Sequence, residues 1–338
     1  MTTPDAAIDA NSAIDARATP TIRPATPADL PACTEIWRDS INDYLVRLNQ
    51  TVLPAELERL GRLYEHTRAT DPERFLVATH PDADDGPPGG ERIVAFGSAV
   101  ERGSLWFLSM LFVRPGEQAK GLGRQILEGL LPPDADERIL GTATDSAQPI
   151  SNALYSRYGL TPRMPLWDVV GEPGRARALP SLPADAEVVA CDEIAAGPPD
   201  GAGHRELVET VGRLDRELAG FEHPQDHRYL RQERRLGFLY RLGGEAAGYG
   251  YASPAGRIGP VAVLDAALLP AVIGDLMRRV EPRGALAIWM PGEAGERGTA
   301  FQALLQVGFR LDGFPLLLLW NRPYADFSRY LPISPGLI

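Results

Sequence analysis

The stretch from Phe107 to Leu131 constrains this chain more than any other. An apolar run ending Leu111, Phe112, Val113 reads as a strand. Arg114 and Pro115 close it, Gln118, Ala119, Lys120, Gly121, Leu122 and Gly123 follow, and Ile126, Leu127, Leu130 and Leu131 then fall on one side of a helix. The two glycines let the backbone turn sharply and approach a ligand closely. The helix that opens near Arg124 aims its free N–H groups and positive dipole end at that turn, so the segment predicts a phosphate cradle. Two nucleotide fingerprints fail on it. A dinucleotide loop needs a third glycine where Ile126 stands, and an ATP loop needs Ser or Thr where Gly121 follows Lys120, the sequence's only lysine.

The elements around the cradle have a readable order. A strand at Thr21 to Arg23 is followed by a helix whose start is marked by Thr26, Pro27 and Asp29 and which runs to about Leu48; a second helix fits Ala55 to Thr67. Strands are expected at Phe75 to Thr79 and Ile93 to Val100, joined across an acidic loop from His80 to Arg92, and at Leu105 to Val113. After the cradle helix come a strand at Ile139 to Thr144, a helix at Ser151 to Tyr158 and a strand at Met164 to Val170. Residues 172–185, rich in proline, read as a linker between units at 20–171 and 186–338, with 1–19 as a flexible tail and not a signal peptide.

The second unit repeats the first in degraded form. Ala153 to Leu160 has an echo in Ala303 to Phe309, Met164-Pro165-Leu166 in Phe314-Pro315-Leu316, and the course of Phe96 to Val113 in Gly248 to Val263. A period this long means duplication of a domain, not a solenoid. The copies differ at the cradle: Val263 is followed by Leu264, Asp265 and Ala266 with no glycine pair, and an aspartate there favours the helix but repels a phosphate. Leu305 stands in the place of Tyr155.

Charge and cysteine content narrow the function. A net charge of -11 argues against a nucleic-acid surface and suits a cationic partner. No apolar run is long enough to span a membrane. Cys33 and Cys191 are too few for a disulfide framework or a zinc site, so a cytoplasmic setting is expected, with Cys33 as a core residue among Leu30, Ile36 and Trp37. The histidines show no metal spacing, since Pro224 interrupts the one helical pair, His223 and His227. No metal is expected.

Strand, two helices, three strands, helix, strand, helix, strand, with Gln118-x-x-Gly121-x-Gly123 after the fourth strand, resembles the GNAT superfamily of N-acetyltransferases over residues 21 to 171, and by pattern alone over 186 to 320. The resemblance implies an α/β (α+β) fold of two tandem GNAT-like domains, each a mixed twisted sheet flanked by helices. It implies acetyl-CoA as co-substrate, its pantetheine arm pairing with Leu111, Phe112 and Val113 beside a bulge, and its pyrophosphate on Gln118, Ala119, Lys120, Gly121, Leu122, Gly123 and Arg124. Asn152 would lie beside the arm. Transfer to an amine needs a base for the amine, a donor for the oxyanion and an acid for the departing thiolate. The resemblance gives the acid to Tyr155 and the oxyanion donor to a backbone N–H near Leu111. No base stands out among Glu101, Asp145, Asp39 and Asp43. Trp37, Asn42, Asp43, Tyr44 and Trp106 could line the acceptor pocket, though residue by residue each reads first as core or helix surface. The implied function is acetyl transfer to a primary amine of a small molecule or peptide by direct attack in a ternary complex. A non-catalytic acyl-CoA sensor is the alternative. Neither nucleic acid nor membrane is an expected partner, and a homodimer stays open.

Overall fold

The computed structural model describes residues 20–54, 58–81, 90–191, 201–292 and 299–338. The expected tail at 1–19, most of the acidic loop (82–89) and the expected first turn of the second helix (55–57) lie outside these residues. No helix among the described residues is long and apolar enough to cross a membrane.

The first half contains β1 (Thr21–Pro24), α1 (Leu30–Arg47), α2 (Glu58–Thr70), β2 (Phe75–Pro81), β3 (Glu91–Arg102), β4 (Leu105–Val113), α3 (Leu122–Leu130), β5 (Ile139–Asp145), α4 (Pro149–Ser156) and β6 (Thr161–Gly171), the order the sequence predicts. A capping box starts the 3-10 turn Pro27–Asp29 that leads into α1: the backbone N–H and the hydroxyl of Thr26 both donate to Asp29 Oδ2, at 2.7 and 2.8 Å. The second half follows with β7 (Ala186–Ala190), α5 (Ala202–Leu218), α6 (Pro224–Gln232), β8 (Leu236–Leu242), β9 (Glu245–Ala252), β10 (Arg257–Val263), α7 (Leu269–Arg279), β11 (Leu286–Pro291), α8 (Ala300–Gln306), β12 (Arg310–Leu311), β13 (Leu316–Trp320) and β14 (Tyr330–Leu331).

All the strands join one sheet, in the order β1-β2-β3-β4-β5-β13-β6-β11-β10-β9-β8-β7, with β12 on β6 and β14 on β10. The order is close to a palindrome, and its centre is crossed over. β13 of the second half pairs with β5 of the first, while β6 of the first pairs with β11 of the second. Each half thus donates its last long strand to the other, and the ladder runs unbroken across the stretch read as a linker. That stretch is itself packed: Ala176 and Leu179 are buried, and Arg278 Nη1 donates to the Ala176 carbonyl at 3.1 Å.

Both faces of the sheet are covered, which is why β4 can be apolar along nearly its whole length. On one face α3 buries Leu122, Ile126, Leu127 and Leu130 against Leu76, Leu108 and Tyr155. Gly97 allows that approach, because a Cβ on it would stand 2.6 Å from Ile126 Cγ2. On the other face Leu30, Cys33 and Ile36 of α1 and Tyr64 of α2 pack on Phe75, Val77 and Phe96. Cys33 is a core residue as expected, and burial pushes its thiol up to about 12.

The halves also share a buried ion network. Arg102, at the end of β3, donates to Asp226 of α6 at 2.7 and 2.9 Å and to Asp71 at 2.9 Å, and His66 of α2 lies 2.6 Å from the same Asp226. Burial would raise the Asp226 carboxyl, but His66 and Arg102 hold it down at about 2.

Candidate active site

A bulge opens the sheet at the cradle. β4 runs antiparallel to β3 with Met110 opposite Ser98 and Leu108 opposite Ala99, which leaves Ser109 as the extra residue. On its other edge β4 pairs in parallel with β5 only from Leu105 to Leu108, opposite Ile139 to Thr142. Beyond that point β5 follows β13 as far as Asp145 while β4 follows β3 as far as Val113. The two strands part into a wedge, and Leu111, Phe112 and Val113 form one of its edges. The Val113 carbonyl is already engaged, accepting from Ser40 Oγ and Gln118 Nε2, each at 3.0 Å.

At the mouth of the wedge the loop bends three times into the left-handed region, at Gly116 (φ +86°), Ala119 (φ +63°) and Gly121 (φ +83°). Such bends turn successive N–H groups toward one side and make an anion-binding concavity. Ala119 holds this conformation without being glycine, the kind of local strain that collects at functional sites. Among the described residues no acceptor engages the backbone N–H groups of Gln118 to Arg124. Lys120 does not stand free as a phosphate ligand: its Nζ is 2.9 Å from Glu117 Oε2. Glu117 is buried, and Lys120, with Arg92 at 3.1 Å, holds its carboxyl below the usual range. Arg124 is exposed and 3.6 Å from Glu128. The backbone, with Arg124, therefore carries the anion-binding capacity of this loop.

Gly121 is the residue the loop cannot exchange cheaply. Alanine at its φ costs about 1 to 2 kcal/mol and tilts the N–H groups on either side. If the loop seats coenzyme A, as the resemblance implies, Gly121→Ala weakens that binding about tenfold by calorimetry, with a fall of only a few degrees in melting temperature. Unchanged affinity would remove the loop from the binding site.

Tyr155 lies on α4, the helix that approaches this loop through Leu154, whose Cδ2 would stand 3.9 Å from a Cβ on Gly123. It is 5% exposed, in one apolar cluster with Leu122, Ile126 and Leu127 of α3, against which Leu111, Val113 and Leu154 also pack. Burial alone raises its hydroxyl above the ordinary tyrosine value, and among the described residues that hydroxyl has no hydrogen-bond partner. Asn152, one turn earlier, donates to the carbonyls of Asp145 and Gln148 at 3.1 and 2.8 Å. Its Oδ1 is buried and has no partner among the described residues, an unmet acceptor that fits an amide N–H of the pantetheine arm the resemblance implies.

On the acceptor side most of the candidate residues take structural parts. Trp106 does not line a pocket: it is fully buried, and its ring N–H donates to the Leu130 carbonyl at 3.1 Å. Period-two alternation along β4 places it with Leu108 on the α3 face, away from α1. Asn42 clasps the chain after α1, accepting from the Leu53 N–H at 2.8 Å. Trp37 packs edge-on against Phe112 at 6.3 Å. Tyr44 reaches from α1 to donate to Asp145 Oδ2 at 2.7 Å, at the end of β5 where the strands part. Each of the other carboxylates is paired: Asp39 with Arg38 and Arg114, Asp43 with Arg47, Glu101 with Arg74 and Arg138.

Sequence reasoning missed two contributions. Ser109, the bulge residue, donates to the Gly336 carbonyl at 2.6 Å, so the segment after β14 lies against the α1 and α2 side of the wedge. Leu337 and Ile338 are buried there in one cluster with Leu63 and Phe107. Nothing in the spacing of residues 109 and 336 signals this contact. The histidines are the second. His223 precedes α6 and Pro224 is its first residue, so the proline opens that helix instead of breaking it, and His223, His227 and Asp215 come together.

The second half repeats the bulge but fills the wedge. β10 shifts register between Ile258 and Val261 and pairs in parallel with β11 only at Arg257 and Ile258. The edge beyond is taken by β14, with Leu331 opposite Val261 and Tyr330 opposite Ala262. Asp265 caps the turn that follows, accepting from the Ala267 N–H at 2.9 Å, as the sequence predicts.

No family model matches the sequence, and no curated protein does. Solved structures do match the fold. A candidate acetyltransferase from Pyrococcus horikoshii aligns over 94% of this chain and 96% of its own, with a TM-score of 0.67 at 14% identity. A GCN5-related N-acetyltransferase from Sphaerobacter thermophilus aligns over 92% and 98%, with a TM-score of 0.56 at 18% identity. The glucosamine N-acetyltransferase region of a fungal multi-domain β-N-acetylglucosaminidase covers 90% of this chain with 38% of its own length, at a TM-score of 0.56 and 13% identity. Identity this low shows the fold alone. The chain has the GNAT fold, as two tandem GNAT-like domains that share one mixed sheet flanked by helices.

Proposed function

We propose that the first half, residues 20–171, binds acetyl-CoA in the wedge between β4 and β5 and transfers its acetyl group to a primary amine by direct attack in a ternary complex. One observation carries this reading. The bulge recurs in both halves, but only the first leaves the parted edge of β4 beside a loop of unengaged N–H groups, whereas β14 occupies the corresponding edge of β10.

Acetyl-CoA supplies the acyl group activated as a thioester. The chain's residues would hold and protonate it. The loop from Gln118 to Arg124 seats the pyrophosphate, Asn152 Oδ1 accepts from the pantetheine arm, and the wedge edge at Leu111 offers backbone groups to the arm and an N–H to the carbonyl oxygen. The amine nitrogen would add to the carbonyl carbon, with the charge that develops on oxygen held at the Leu111 N–H; as that charge returns, the carbon–sulfur bond breaks and Tyr155 gives its proton to the leaving sulfur. Asp145, already polarised by Tyr44, is the carboxylate best placed to take a proton from the amine through water. The second half, 186–338, would be structural and completes the acceptor side through Gly336 to Ile338. A sensor that binds acyl-CoA without turnover is the second reading, and the pairing of Asp39, Asp43 and Glu101 favours it.

Acetyl-CoA consumption against a panel of aminoglycosides, polyamines, amino acids and peptides tests the proposal. Thiol release stimulated by one amine class is the expected result. Coenzyme binding with no release for any amine would leave the sensor.

A further inference from the structure

We propose that Asp215, His223 and His227 form a site for one divalent transition-metal ion of the zinc class, on residues outside the wedge. Their ligand atoms all lie within 4.8 Å of one another. His227 Nε2 is 3.0 Å from Asp215 Oδ2, and His223 Nε2 is 3.4 Å from Asp215 Oδ1. Ligand atoms bound to tetrahedral zinc at about 2.0 to 2.1 Å stand roughly 3.3 Å apart, so these separations already suit a shared ion.

The atoms behind the three ligands are arranged for the same purpose. His227 Nδ1 lies 3.0 Å from the Tyr251 hydroxyl, and His223 Nδ1 is 3.6 Å from Asp226 Oδ2. An oxygen at Nδ1 fixes the ring and leaves Nε2 as the metal ligand. Tyr249 orients the third ligand, donating to Asp215 Oδ1 at 2.6 Å.

His223 is the independent sign that something is bound. It is 0% exposed, and among the described residues neither of its ring nitrogens makes a hydrogen bond, the carboxylates of Asp215 and Asp226 standing beside them at 3.4 and 3.6 Å. Buried polar groups are rarely left in that condition. An ion at Nε2 satisfies the first nitrogen, and Asp226 Oδ2, 3.6 Å from Nδ1, faces the second. The His223 and His227 rings stack at 4.5 Å with 26° between their planes, which holds both imidazoles beside Asp215. The ion would tie α5 to α6 beside Asp226, the residue that Arg102 of the first half grips.

Metal content and stability test the site. The untagged chain, purified without chelator, is expected to carry about one zinc ion by mass spectrometry. Stripping lowers its melting temperature and Zn2+ restores it. Co2+ added to the stripped protein should give the visible bands of a four-coordinate site. Asp215→Asn and His227→Gln should abolish these signals, Tyr251→Phe should weaken affinity about tenfold, and His204→Gln should leave them intact. If stripped wild-type protein takes up neither ion and its melting temperature does not move, the cluster is a hydrogen-bonded charge network and the proposal fails. That titration decides the matter even if the ligand variants do not fold, and it is independent of whether any amine is acetylated.

Discussion

Tyr155→Phe is expected to lower turnover about a hundredfold and to leave coenzyme A affinity within about twofold. Phenylalanine keeps the ring that packs against Leu122, Ile126 and Leu127, so the apolar cluster and the wedge survive. Only the hydroxyl is lost. Burial holds that hydroxyl above the ordinary tyrosine value, so it stays protonated through the neutral range and can act as a donor but not as a base. An acid that gives its proton only as the carbon–sulfur bond breaks contributes to the transition state and not to binding. The loss should therefore appear in kcat with KM for acetyl-CoA almost unchanged. The rate should also show no alkaline fall through pH 9, because a raised tyrosine has not begun to ionise there. Steady-state kinetics with the amine that the panel identifies decides the point. A variant that keeps more than a third of wild-type turnover would reduce Tyr155 to a packing residue.

Local signals were the ones the sequence carried well. The cradle was legible because strand, positive-φ turn and helix lie within a few consecutive residues, and Gly121 adopts the backbone that only glycine takes without strain. The degenerate copy was legible too, through Asp265 and the missing glycines. Long-range pairing was not. Exchange of β6 and β13 depends on which strand a half selects from two nearly equivalent partners, and Leu316 to Trp320 reads the same in either position. Trp106 was readable first as a core residue, and alternation along β4 assigns it to the α3 face, where it is buried. Contact between Ser109 and Gly336 joins residues with no common pattern. The loop's lysine was read by its charge, while its partner Glu117, three residues earlier, was overlooked.

Arg102→Met is expected to destabilise the protein by about 3 to 5 kcal/mol, the cost of leaving buried carboxylates without their cation. Arg102 is 2% exposed, donates to Asp71 and twice to Asp226, and also reaches the Glu101 carbonyl at 2.8 Å. Methionine approximates the stem of the side chain, so little packing is lost and the effect reports the charge. The network spans the two halves, with Asp71, His66 and Arg102 on one side and Asp226 on the other. Its loss should weaken the coupling between them as well as the total. Urea unfolding followed by fluorescence and by circular dichroism is expected to show one shared transition for the wild type, and a lower midpoint with separated transitions for the variant. Adding Asp226→Asn should recover part of the loss, because an amide needs no counter-ion and the double-mutant cycle then reads the pair directly. A single-variant cost below about 1 kcal/mol would place the network in the range of surface ion pairs. The continuous sheet, with β6 and β13 exchanged, would then hold the halves together without help from the buried charges.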